Sequence, residues 1–205
     1  MRPRHLLLTV LLACLSMTCI GVSPAAAAPL KAQSADVYLG GVDLSGYCRS
    51  LGYTGARLKA PNGIADWRCY IHGPAGVDTE ANLSVIDACR YQFAPLVTAG
   101  YPVTAQANGN SGGEWKCHAT AGQSEALPRM DLRSFCVSIG YTDARHGGGN
   151  VTGWSCVRTG TSIPLDLHAA CAYQHRDRVA QGWSLVAVWE SFGGWNRIGC
   201  MSVHA

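Results

Sequence analysis

Eight cysteines beyond residue 27 fall into two matching sets of four, and that spacing constrains the fold more than any other feature. Asp43-Leu44-Ser45-Gly46-Tyr47-Cys48-Arg49-Ser50-Leu51-Gly52-Tyr53-Thr54-Gly55-Ala56-Arg57 aligns without gaps on Asp131-Leu132-Arg133-Ser134-Phe135-Cys136-Val137-Ser138-Ile139-Gly140-Tyr141-Thr142-Asp143-Ala144-Arg145. Trp67-Arg68-Cys69 then matches Trp154-Ser155-Cys156, and Leu83 to Gln92, with Cys89, matches Leu165 to Gln174, with Cys171. Trp115-Lys116-Cys117 matches a looser Trp195 to Cys200. Self-similarity of this order marks an internal repeat.

The start of the chain says where these cysteines reside. Arg2 and Arg4 precede an apolar run from Leu6 to Leu15, Pro24 breaks it, and Ala25 to Ala28 follow. That order reads as a secretory signal peptide over residues 1–27, cut after Ala27, and the run is too short to span a membrane. Export into an oxidising compartment makes an even cysteine count a disulfide framework. Cys48, Cys69, Cys89, Cys117, Cys136, Cys156, Cys171 and Cys200 are the expected partners. No Cys-x-x-Cys pair is present, which argues against a zinc ribbon or a thioredoxin-like site. Without residues 1–27 the chain carries 14 basic and 13 acidic side chains. No concentrated basic patch remains for nucleic acid or, once the signal is cut, for a membrane.

The expected fold class is α+β, a tandem duplication of a small disulfide-stapled module. Its parts are a short helix, a strand, a longer helix and a closing hairpin. Asp43 and Asp131 are placed as N-caps, with Gly52 and Gly140 ending the helices that follow. The Trp-x-Cys segments have strand spacing, with Trp and Cys on one packed face. Residues from about Glu80 to Phe93, and from about Leu165 to Arg176, read as the longer helix. Val97 to Ala105 and Ser184 to Glu190 read as strands. A unit of about 75 residues is marginal on core burial alone. Two disulfides, typically about 2–4 kcal/mol each, supply the rest. Two cysteines per unit sit on helices and two on strands, so helix-to-strand bridges are expected, with both ways of drawing them open. The expected organisation is a signal peptide (1–27), an extended N-terminal arm (28–42), repeat unit 1 (43–120), a linker (121–130) and repeat unit 2 (131–205). The arm, with no counterpart in the repeat, carries the apolar triplet Val37, Tyr38 and Leu39 ahead of Gly40-Gly41.

Catalytic signatures are not apparent. There is no Gly-x-Ser-x-Gly, His-Glu-x-x-His or Walker loop. Gly147-Gly148-Gly149-Asn150 reads as a variable turn, because unit 1 has Lys59-Ala60-Pro61-Asn62-Gly63 there. The histidines after residue 27 have no matched counterparts and read as solvated surface. His168 and His175, seven apart on one helix, are the weak case for a metal pair. No cofactor and no catalytic residue is assigned. Aromatics recurring in both units (Tyr47/Phe135, Tyr53/Tyr141, Trp67/Trp154, Tyr91/Tyr173, Trp115/Trp195) read as core. Among the unshared ones, Trp183, Trp189 and Phe192 are candidates for a partner or glycan surface, since aromatic anchors dominate interfaces.

The run Asp-Leu-x-x-Tyr-Cys-x-Ser-Leu-Gly-Tyr, then Trp-x-Cys, Ala-Cys-x-Tyr-Gln and Trp-x-Cys, resembles a repeat of small secreted actinobacterial proteins over nearly all of residues 43–203. A two-unit version with an N-terminal arm resembles the adaptor subunit of umbrella toxin particles. The resemblance implies a non-enzymatic adaptor joining a large repeat-containing toxin subunit, gripped by the arm, to a lectin-like subunit carried on the body. The residues themselves leave two alternatives open, a secreted carbohydrate-binding module and a secreted enzyme inhibitor.

Overall fold

The computed structural model describes residues 34–59, 66–108, 114–148, 152–189 and 198–205. The expected signal peptide, the start of the arm, Phe192 and Trp195 lie outside them. Residues Ala32–Ala205 make one compact unit.

Strand outweighs helix, at 44% against 28%, and the strands build three sheets. The chain opens with β1 (Ala35–Gly41) and α1 (Leu44–Ser50), followed by β2 (Gly55–Leu58), β3 (Trp67–His72) and β4 (Asp78–Asn82). Helices α2 (Val85–Gln92) and α3 (Ala94–Thr98) lead to β5 (Val103–Ala107) and β6 (Trp115–Ala121). The second half runs β7 (Gln123–Leu127), α4 (Leu132–Ser138), β8 (Asp143–His146), β9 (Trp154–Arg158) and β10 (Thr161–Pro164). It ends with α5 (Leu167–Gln174), α6 (Arg176–Ala180), β11 (Ser184–Trp189) and β12 (Ile198–His204).

The expected α+β module is therefore wrong. Where one strand was expected, each half has a three-stranded antiparallel sheet, β2-β3-β4 or β8-β9-β10. The longer helix starts later than expected, because Asp78–Asn82 pairs with β3 before Ser84 caps α2 through the Asp87 amide. The expected strand from Val97 begins as helix α3, and only the turn at Gly100 (φ 89°) and Pro102 releases β5. The two closing hairpins open into one six-stranded sheet of order β5-β6-β1-β11-β12-β7.

That sheet also overturns the free arm. Residues 35–41 are an inner strand, antiparallel to β6 from Ala35↔Ala121 to Gly41↔Lys116. Val37 and Leu39 are buried in the core with Phe93, Leu96 and Val103. An apolar triplet ahead of two glycines suits a strand entering a core as well as it suits a leash. The expected linker is a strand too: β7 pairs antiparallel with β12 as β1 does with β6. Each lies directly ahead of its half's first helix, so arm and linker occupy equivalent places.

Four disulfides pin the helices: Cys48–Cys69, Cys89–Cys117, Cys136–Cys156 and Cys171–Cys200, with Cα atoms 5.3–5.7 Å apart. Each joins a helix to a strand of the same half. Asp43 and Asp131 cap α1 and α4 by accepting from the Gly46 and Ser134 amides at 2.8 and 3.0 Å. Gly52 and Gly140, at φ 88° and 89°, terminate these helices. Disulfides persist in an oxidising environment. Among the described residues, no helix is long and apolar enough to cross a membrane.

No disulfide crosses between the halves. Their sheets meet where β1 and β11 pair in parallel at Gly40↔Trp189. A Cβ on Gly40 would collide with the Trp189 carbonyl, and its φ of 116° excludes ordinary side chains. Gly40→Ala is therefore expected to lower stability by about 2 kcal/mol or more, while Gly52→Ala, with open space around it, should cost about 1 kcal/mol. Urea unfolding of both variants checks the contrast. Removing Cys89–Cys117 as the double alanine variant should cost about 3–4 kcal/mol on the loop-closure argument, read the same way.

Candidate cleft between the two halves

A cleft of about 540 Å³ lies at the meeting of the halves. From the first half, α1 brings Tyr47 and Arg49, its N-cap is Asp43, and α2 brings Tyr91 and Gln92. From the second half come Thr152, the start of α5 with its N-cap Asp166 and His168, and Trp189 at the end of β11.

Most of its polar groups are engaged in holding the fold. Asp43 Oδ1 caps α1, while Oδ2 accepts from the Thr152 hydroxyl at 3.4 Å and lies 3.9 Å from the Arg49 guanidinium. The Gln92 amide is buried. Its Nε2 donates to the Gly41 carbonyl at 2.8 Å, and its Oε1 accepts from the Asp43 amide at 2.7 Å, tying α2 to the end of β1. Asp166 Oδ1 accepts from the His168 and Ala169 amides at 2.9 and 3.0 Å. His168 reaches across to the first half: Nε2 donates to the Gln92 carbonyl at 2.7 Å, and Nδ1 accepts from the Ala187 amide at 3.0 Å. Both partners are backbone groups of fixed character, so the ring is neutral and carries its proton on Nε2. Tyr47 packs on Tyr91 with ring centroids 5.6 Å apart. Burial first, and the Asp87 carboxylate second, push the Tyr47 phenol above its ordinary value.

The sequence candidates separate in the structure. Val37 and Leu39 are core, and Tyr38 stands in strand β1 with the Lys116 ammonium 4.9 Å over its ring. Trp189 is buried beside Phe93 and His168 at 6.0 and 6.2 Å, so it is not a stacking platform for a sugar. Trp183 is half-buried, between His204 (5.2 Å) and the Arg178 guanidinium (5.3 Å). His168 is no solvated surface residue but part of the contact between the halves. His175 is the C-cap of α5, and the two imidazoles form no metal pair, since both His168 nitrogens are engaged. Among the described residues, no cluster of three or more His, Cys, Asp or Glu side chains is placed to hold a metal.

Sequence reasoning missed a second set. Tyr91 and Tyr173 recur in both halves and were expected in the core, yet they are 53% and 37% exposed. Leu51 and its counterpart Ile139 are exposed as well, as are Val97 and its counterpart Val179. Three exposed apolar positions are thus retained in both halves. The signal lay in the helical spacing: Cys89 and Phe93 face inward on α2, and Tyr91 stands between them.

No protein-family model, curated protein or solved structure matches this chain.

Leu96 and Val97 test the division between core and surface. Leu96→Ala should cost about 2–5 kcal/mol, whereas Val97→Ser should stay within about 1 kcal/mol; midpoints in urea distinguish them.

Proposed function

We propose that this protein is a secreted, non-enzymatic adaptor that binds other proteins through its two-part body. The observation that carries this reading is the retention of exposed apolar residues at matched positions: Leu51 and Ile139, Tyr91 and Tyr173, Val97 and Val179. Tyr91 and Tyr173 pack one face on Tyr47 and Phe135 and leave the rest to solvent, and single exposed apolar residues mean little. Retention at matched, exposed positions in both halves is what supports a role for them in binding. Aromatic and aliphatic anchors are what protein interfaces use, and two copies of one surface on a stapled body suit a protein that holds two partners at once. The resemblance to the adaptor of umbrella toxin particles points to a large repeat-containing toxin subunit and a lectin-like subunit as those partners. With Val37 and Leu39 buried, the body carries the binding and the triplet of β1 does not.

A second reading has its own observation. Repeated, exposed tyrosines are also what a carbohydrate-binding module presents, stacked on sugar rings and doubled for avidity.

Purification of the tagged protein under native conditions from its own culture supernatant separates the two. The adaptor reading expects two different proteins to co-purify. One should be lost from the variant Leu51→Ser/Tyr91→Ala/Val97→Ser and the other from Ile139→Ser/Tyr173→Ala/Val179→Ser, with circular dichroism unchanged. A clean monomer overturns it. Glycan-array signal that disappears with Tyr91→Ala and Tyr173→Ala would establish the carbohydrate reading in its place.

A further inference from the structure

The two halves are stapled within themselves, and among the described residues no disulfide joins one to the other. Their contact includes the parallel pairing of Gly40 with Trp189, the packing of Phe93 and Leu96 in one core with Val186 and Val203, the Tyr101 hydroxyl on the Val203 carbonyl at 3.4 Å, the Thr152 hydroxyl on Asp43 Oδ2 at 3.4 Å, and His168. Only His168 among these changes charge in mildly acidic water.

Its geometry fixes what a proton would do. Nδ1 is the acceptor for the Ala187 amide at 3.0 Å, on β11 of its own half, while Nε2 donates to the Gln92 carbonyl of the other half at 2.7 Å. The neutral ring satisfies both. An imidazolium has two donors and no acceptor, so protonation sets an N–H against an N–H at Ala187 and places a charge beside the Phe93 and Trp189 rings. We infer that His168 is an acid-released latch on β11, the strand through which the halves pair: protonation deprives the Ala187 amide of its acceptor and loosens β11, while the Nε2 bond to the Gln92 carbonyl and the disulfides remain.

The surroundings fit this assignment. Burial is the largest influence and holds the imidazole below its ordinary range, against the opposing pull of the Gln92 carbonyl and the Asp166 carboxylate. The other titratable groups lining the cleft are Asp43 at the α1 cap, Arg49 and Tyr47 on α1, and Tyr91 on α2; β11 brings Trp189, which carries no charge. The sign follows from linkage. The unfolded histidine takes its proton near pH 6.5 and the folded one only at lower pH. The stabilisation is complete above about pH 6.5 and is lost as the pH falls below it.

Amide exchange on the full, disulfide-bonded chain reads the latch directly. Protection of Ala187 and Trp189, corrected for intrinsic exchange, should fall as the pH is lowered from about 7.5 to about 5. Cys69 and Cys156, inside the stapled three-stranded sheets, should keep theirs. In His168→Gln, whose amide can donate and accept as the neutral ring does, the drop should vanish. An equal drop in the variant, or none in the parent, overturns the latch. Should the variant not fold, the imidazole ¹⁵N titration of the parent decides: His168 protonating at or above the free histidine range overturns it, and protonation below that range together with the Ala187 loss supports it.

Discussion

The helix-to-strand disulfide is the interaction on which the rest depends. The helices here run from five to eight residues, well short of the length at which a helix holds in water by itself. Each of the four longest is tied at its buried face to a strand through a fully buried cystine. The short sheets β2-β3-β4 and β8-β9-β10 are equally marginal alone. Their central strands become stable surfaces because Cys69 and Cys156 fasten α1 and α4 to them. A capping aspartate at one end and a positive-φ glycine at the other then set each helix's length.

That part was legible from the chain. Cysteine spacing, Asp43 and Asp131, Gly52 and Gly140, and the Trp-x-Cys alternation all speak of local geometry, and local geometry is what a sequence states directly. The six-stranded sheet was not legible, because its two equivalent strands, β1 and β7, hardly resemble each other. Val37 of β1 stands where β7 has Glu125, and only Leu39 and Leu127 agree between the two triplets. One reads as an arm and the other as a linker, although they play one structural role. Edge strands β4 and β10 are short and mostly polar, so no alternation announced them. His168 was unreadable for a similar reason. Its counterpart is the exposed Ile86, and its burial arises only where the two halves meet.

Divergence between the halves has a physical logic. At the junction the first half presents Phe93 and Leu96. The matched residues of the second half are the polar His175 and Arg178, and Arg178 pairs with Glu125 on β7 at 2.6 Å. A continuing apolar face there would leave an uncovered sheet edge, a recognised aggregation hazard. Divergence fell on this face, while Tyr91 and Tyr173 stayed the same on another. This contrast separates residues that serve the stacking from those the adaptor reading assigns to partners.

The sheet order carries one more consequence. β1, the last strand of the first set, lies against β11, the first strand of the second, so the two sets follow one another by translation and not by a twofold axis. A twofold pair would expose two identical ends. Here one end is bounded by β5 and the other by β7, strands of different sequence and different neighbours. The body consequently has polarity: a molecule bound at one end is chemically told apart from one bound at the other, with no need for a second kind of domain.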